Sequence, residues 1–161
     1  MNDCLKDKIP VYAVVAIIGS TEEGAVDRLA KIADMRDQMQ KKGLSFLLHA
    51  DAAWGGYFAT MLQRGKNGKP EIGNATEGAV PALTLRQDTE KDLLALHRAD
   101  SITVDPHKAG YVPYPAGSLT YKDGRMRHLV TWSSPYLSQG SSENIGVYGV
   151  EGRCVDLRLP G

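Results

Sequence analysis

The order of three segments near the start constrains the fold more than anything else in the chain. Val11-Tyr-Ala-Val-Val-Ala-Ile-Ile18 is apolar and β-branched without alternation, the pattern of an interior parallel strand buried on both faces. Asp27 to Lys42 then places Leu29, Ile32, Ala33 and Met39 on one side and Lys, Arg, Asp and Gln on the other. That spacing predicts an amphipathic helix, and Gly43 supplies its stop. A second short apolar run starts at Leu44 and carries Asp51 at its carboxyl end. Strand, helix and strand in this order form a right-handed crossover, so the two strands are expected to be parallel. The chain reads as α/β, a mostly parallel sheet with flanking helices.

The rest extends that sheet. Thr89 to Ala99 returns to helical spacing through Leu93, Leu94 and Leu96 and leads into a short strand, Ser101 to Val104. Pro106 stops this strand, since proline fixes φ and cannot donate to a ladder. Ser118 to Lys122 is a further strand, and the short link before it suits an antiparallel neighbour. Gln63 to Gln87, with Pro70 and Pro81 and little periodicity, reads as a long surface excursion. Asn2 to Lys8 reads as the last turn of a helix, and Ser20 and Thr21 as capping hydroxyls after the first strand.

Composition narrows the function classes. Among 161 residues, 19 Lys and Arg balance 19 Asp and Glu, so charge gives no reason to expect nucleic acid or an anionic membrane as partner. The two cysteines, Cys4 and Cys154, stand near opposite ends without metal-ligand spacing, so no metal site is expected and a reducing, cytoplasmic setting is. The start is charged, without the apolar core of a signal peptide, and the run from Val11 to Ile18 is too short to span a bilayer.

Two residues then stand out chemically. Asp51 and Lys108 each follow a short strand, and in open parallel sheets ligands collect outside the carboxyl ends of strands. A lysine at the end of a buried strand is partly desolvated, which lowers its pKa and frees the amine to attack a carbonyl. A carboxylate and an amine at one crevice suit pyridoxal phosphate, the lysine forming an imine and the aspartate keeping the pyridine nitrogen protonated. The plain alternatives are a solvated lysine after a strand and an aspartate that caps a helix.

His49-Ala-Asp-Ala-Ala-Trp-Gly-Gly-Tyr57 and Asp105-Pro-His-Lys-Ala-Gly-Tyr-Val-Pro-Tyr-Pro-Ala-Gly117 carry a family resemblance. Together they resemble the group II pyridoxal-phosphate-dependent amino-acid decarboxylases, most of all the tyrosine-decarboxylase-like members. Ala16 to Asp27 and Val147 to Gly152 add to the match. The resemblance implies part of a fold-type I large domain over residues 3–152, followed by a divergent tail at 153–161. It implies Lys108 as the covalent anchor of pyridoxal phosphate, Asp51 against the pyridine nitrogen and Ala53 as the small residue at the ring face. It places His107 near the cofactor phosphate or substrate carboxylate, and Tyr136 on a loop that returns a proton to the substrate carbon after CO2 leaves. Ile17 stands where many relatives are expected to have a threonine, so no contact is assigned there, and His49 is read as structural.

The implied reaction converts L-tyrosine or a related aromatic amino acid to an amine and CO2, in an enzyme that is a homodimer when complete. The family also supplies a phosphate-binding turn and a ring-stacking side chain from residues upstream of the first strand, and a small C-terminal domain. None has a counterpart in this sequence, so the chain alone is expected to be inactive or nearly so. Other readings of the same residues are an aminotransferase, aldolase or desulfurase, a truncated non-catalytic chain that binds no cofactor, or a chain that associates with a full-length relative.

Overall fold

The computed structural model describes residues 1–64, 70–72 and 85–126. A short helix, α1 (Asn2–Lys6), precedes strand β1 (Ala13–Ile17), helix α2 (Leu29–Lys41) and strand β2 (Leu47–Asp51). A 3-10 helix, Gly56–Met61, leads into a small antiparallel pair, β3 (Leu62–Arg64) and β4 (Pro70–Ile72). Helix α3 (Gln87–Leu94) tightens into a 3-10 turn, Ala95–Arg98, before β5 (Ser101–Val104) and β6 (Ser118–Tyr121). The main sheet has the order β1-β2-β5-β6. β1, β2 and β5 run parallel and β6 is antiparallel to β5, as the pattern and the short link to β6 led one to expect.

Helix α2 ends as its sequence demands. Gly43 has φ of +92°, its N–H donates to the Gln40 carbonyl at 3.1 Å, and the Leu44 N–H reaches back to the Met39 carbonyl at 3.0 Å. This is the Schellman arrangement, and its usual apolar contact is present because Met39, Leu44 and Phe46 form one buried cluster. The helix start is less local. No side chain of its own N-cap, Arg28, closes it; the Ala30 N–H instead donates at 3.1 Å to Asp92 of α3. Asp92 is only 2% exposed, a buried carboxylate held at the positive end of a helix.

The core lies between α2, α3 and one face of the sheet. Ile18, Leu29 and Leu48 are fully buried, packed with Ala16, Ala33, Ala50, Ala52, Leu93, Ala95 and Ala99. Burial of each large side chain is worth about 2 kcal/mol, and the alanines let helix and sheet backbones come close. Among the described residues the helices cover this face only. Among the described residues β1, where the pattern predicts an interior strand, has a strand neighbour on one side only, and on the other face Val15 is 56% and Ile17 44% exposed. Apolar residues on both faces signal burial on both, but they do not name the covering element.

The edge is partly blunted. Asp27, expected inside the helix, precedes it and satisfies the edge at Ile17: its carboxylate accepts the Ile17 N–H at 2.8 Å and its own N–H donates to the Ile17 carbonyl at 2.8 Å. The apolar face beside that edge remains a route to self-association. Val15→Lys, which places a charge on this face, is expected to suppress concentration-dependent association in sedimentation while changing stability by less than about 0.5 kcal/mol. Unchanged association would show that this face is not the contact.

Helices α2 and α3 are also tied by charge. Arg28 bonds to Asp88 and pairs with Asp92, and Arg98 reaches Asp34 and Asp37. The hydrogen bond from Arg28, aided by the Thr89 N–H, lowers the Asp88 carboxyl to about 2 from an ordinary 3.8. A depressed carboxyl contributes stability that is complete above its unfolded pKa and is lost as pH falls through the folded value. The stability difference between the protein and Asp88→Asn should therefore shrink as pH falls from about 4 towards 2. Denaturant titrations across that range read the effect; a constant difference would contradict it.

Candidate functional site

The site is built where β2 and β5 end. In the parallel ladder Asp51 stands between Ile17 of β1 and Thr103 of β5, so the segments that follow β2 and β5 leave the sheet at the same end. They are stitched together there: Ala52 N–H donates to the Thr103 carbonyl at 3.0 Å, and Asp105 N–H to the Ala53 carbonyl at 3.2 Å. On the other side the Gly55 N–H donates to the Ile18 carbonyl at 2.9 Å. The turn carrying Ala53 and Trp54 is thus held between the ends of β1 and β5.

Asp51 is half-buried, and its Oδ1 accepts the Ala53 N–H at 3.3 Å. The carboxylate therefore closes its own turn through one oxygen, and the 3-10 helix that follows has Gly55 as its N-cap, without a side-chain bond. Among the described residues no protein donor is assigned to Oδ2. Beside it on the open face, His49 bridges two β5 hydroxyls, Nδ1 to Ser101 Oγ at 2.7 Å and Nε2 to Thr103 Oγ1 at 3.2 Å. That is a cross-strand structural role, as expected.

Lys108 sits in a tight turn after β5, its N–H donating to the Asp105 carbonyl at 3.0 Å and its carbonyl accepting from Tyr111. The amine is partly buried, with 24% of its side chain exposed. Its Nζ lies 2.7 Å from Asp105 Oδ2 and 5.4 Å from the centre of the Trp54 ring. The Trp54 contact places the amine beside the turn that carries Asp51 and Ala53. His107 turns inward: Nδ1 donates to the Ala116 carbonyl and the ring lies 3.8 Å from that of Tyr114. This closes the loop from Pro106 to Gly117. The Ser20 hydroxyl accepts the Ala25 N–H at 3.0 Å, so it closes a turn after β1 and does not cap a helix.

Asp105 and Trp54 are the site residues that sequence reasoning missed. The signal for Asp105 was present, since an acid three residues before a lysine across a proline-initiated turn brings the two side chains together. Nothing local marks Trp54. Tyr136 and the tail at 153–161 lie outside the described residues.

The groups present fit pyridoxal phosphate in kind. A carboxylate with one oxygen not engaged by the described residues suits a ring nitrogen, the methyl of Ala53 leaves room beside it, and an amine stands at the same mouth for an aldehyde. Among the described residues no helix is long and apolar enough to cross a membrane.

No protein-family model matches the chain. It is 36% identical over 167 residues to an L-tyrosine decarboxylase of Enterococcus faecium, an alignment covering 94% of this chain and 26% of that protein. It is 30% identical over 145 residues to an aspartate 1-decarboxylase of Aliivibrio fischeri, covering 89% and 21%. Among solved structures, the glutamate decarboxylase domain of a diaminobutyrate-pyruvate transaminase and L-2,4-diaminobutyrate decarboxylase from Vibrio parahaemolyticus overlaps at TM-score 0.47 and 25% identity, over 73% of this chain and 19% of that one. The chain spans about a quarter of the length of the tyrosine decarboxylases it matches. Motifs in order along nearly the whole sequence, with relatives of this kind, mean that the chain belongs to the group II pyridoxal-phosphate-dependent amino-acid decarboxylase family.

Proposed function

We propose that this chain carries the cofactor-anchoring part of an amino-acid decarboxylase, a carboxy-lyase that acts on L-tyrosine or a related aromatic amino acid. The observation that carries the reading is the parallel pairing of β2 with β5, which sends Asp51 and the Lys108 turn to one end of the sheet. Lys108 would hold pyridoxal phosphate covalently and Asp51 would keep its ring nitrogen protonated. Ala53 would lie at the ring face, and His107, fixed by the Ala116 carbonyl, would stand near the phosphate or the substrate carboxylate. When bound, the cofactor supplies an electron sink for the bond to the departing carboxylate.

The chain's own residues orient and hold charge around that chemistry. Asp51 is rigid because its Oδ1 is committed to Ala53 N–H and its strand is paired on both sides. The Lys108 turn is fixed at both ends by backbone bonds to Ala53 and Ala116. Tyr136 is proposed as the donor of the proton that replaces CO2. Residues 3–152 are read as part of the large domain and 153–161 as a tail of different character. The whole protein is proposed to be a cytoplasmic homodimer with an amino acid as its small-molecule partner.

L-tyrosine is preferred to L-aspartate because the tyrosine decarboxylases match at higher identity, 36% against 30%. Product analysis on the whole protein with pyridoxal phosphate and L-tyrosine tests the reading. CO2 and an amine are the expected products; a keto acid would move the assignment to an aminotransferase.

A further inference from the structure

A second concavity lies at the same end of the sheet, on the face turned to the helices. Side chains alternate between the faces of a strand, so Ile17 and Asp51 look onto the open face while Ile18 is buried in the core with Leu29 and Leu93. Beside Ile18 the loop after β1, the turn after β2 and the start of α3 line a groove of about 470 Å³, the size of a small-molecule site. Trp54 and Phe58 form its aromatic walls and are 39% and 49% exposed. Trp54 also stands 5.4 Å from the Lys108 amine, so the groove borders the mouth of the site.

The rim of this groove is acidic and preformed. Glu22 and Glu23 line it, both exposed. The Ser20 hydroxyl donates to Glu23 Oε2 at 3.0 Å and the Gly24 N–H donates to the Ser20 carbonyl at 3.0 Å, which fixes the loop that carries the two carboxylates. Arg28 and Arg86, at the starts of α2 and α3, are engaged by Asp88 and Asp92. Among the described residues, then, no cation is paired with Glu22 or Glu23. Aromatic walls suit a ring or a cation, and two carboxylates attract a cation while repelling an anion.

We propose that this groove binds a primary arylalkylammonium ion, the amine formed when an aromatic amino acid loses CO2, and discriminates against the amino acid by its carboxylate. It is a holding site for product beside the mouth. The inference rests on the proposed aromatic substrate class, but its test uses neither cofactor nor turnover.

The test is titration of the nitrogen-15-labelled chain at neutral pH with 2-phenylethylamine, L-phenylalanine and 2-phenylethanol, followed by amide and indole NMR shifts. The amine is expected to shift the Gly19, Glu22, Glu23, Gly55 and Phe58 amides and the Trp54 indole, and to bind at least about fivefold tighter than either other compound, the worth of about one exposed ion pair. Joint replacement Glu22→Gln and Glu23→Gln, at exposed positions that leave the core intact, is expected to remove that preference. Phe58→Ala is expected to weaken the amine about threefold or more through the lost aromatic wall. Equal binding of amine and amino acid within twofold would overturn the proposal. So would a preference that survives the double replacement, or shifts that avoid these residues, as when the chain itself fills the groove. The reaction is read separately: selective amine binding in a protein whose product is a keto acid would leave the amine site standing and remove its role in holding product.

Discussion

Gly55→Ala is expected to cost the fold about 3 kcal/mol or more. A Cβ at this position would lie 2.2 Å from the carbonyl oxygen of Ile18 and 2.8 Å from its carbonyl carbon. These are backbone atoms, so no rotamer change relieves the overlap. Ile18 is fully buried in the core and its carbonyl accepts the Gly55 N–H, which leaves neither side free to withdraw. Relief requires the turn after β2 to move off the end of β1, taking Ala53 and Trp54 with it. For a chain of this size the loss corresponds to a fall in melting temperature of roughly 10 °C. Thermal unfolding followed by circular dichroism measures it, and a change below about 0.5 kcal/mol would show that the two segments are not in the contact described.

Lys108→Ala is expected to abolish the pyridoxal label fixed at the site by borohydride. Reduction converts a reversible lysine imine to a stable secondary amine, so peptide mapping reports where the cofactor was attached. In the unmutated protein the label should concentrate on the peptide containing Lys108; in the variant only scattered surface labelling should remain. The substitution leaves the backbone bonds of the turn, from Lys108 N–H to Asp105 and from Tyr111 N–H to Lys108, so loss of label would not reflect loss of the turn. Label that persists at the same site in the variant would remove Lys108 from the anchoring role.

The parts of this architecture that rest on local signals were legible in the sequence. β5 has the bounds expected, because helix, apolar run and Pro106 punctuate it on both sides. The end of α2 was legible through Gly43, whose positive φ is the reason for a glycine there. The start of α2 was not, because Asp27 serves the edge of β1 and the helix N–H group is met by Asp92, 62 residues away. α3 begins two residues before the helical pattern expected from Thr89 and tightens over its last turn. The position of β1 at the edge of the strands described was likewise unreadable, since apolarity reports burial without naming the neighbour.

The site divides the same way. Asp51 and Lys108 could be placed at strand ends from patterning, and their motif implied a cofactor. The amine's actual surroundings, a carboxylate and an indole, depend on the turn that Pro106 starts and on where Trp54 falls across the mouth. The first was encoded in a three-residue spacing and the second only in the tertiary fold.

The juxtaposition of the β2 end with the Lys108 turn is most directly tested by proton NMR contacts in the isotopically labelled protein. Contacts between the Lys108 side-chain methylenes and the Trp54 indole, together with backbone contacts linking Asp51 to Thr103, are expected. Resonances showing Lys108 remote from Trp54, or β2 and β5 antiparallel, would contradict a shared mouth and with it the proposed function.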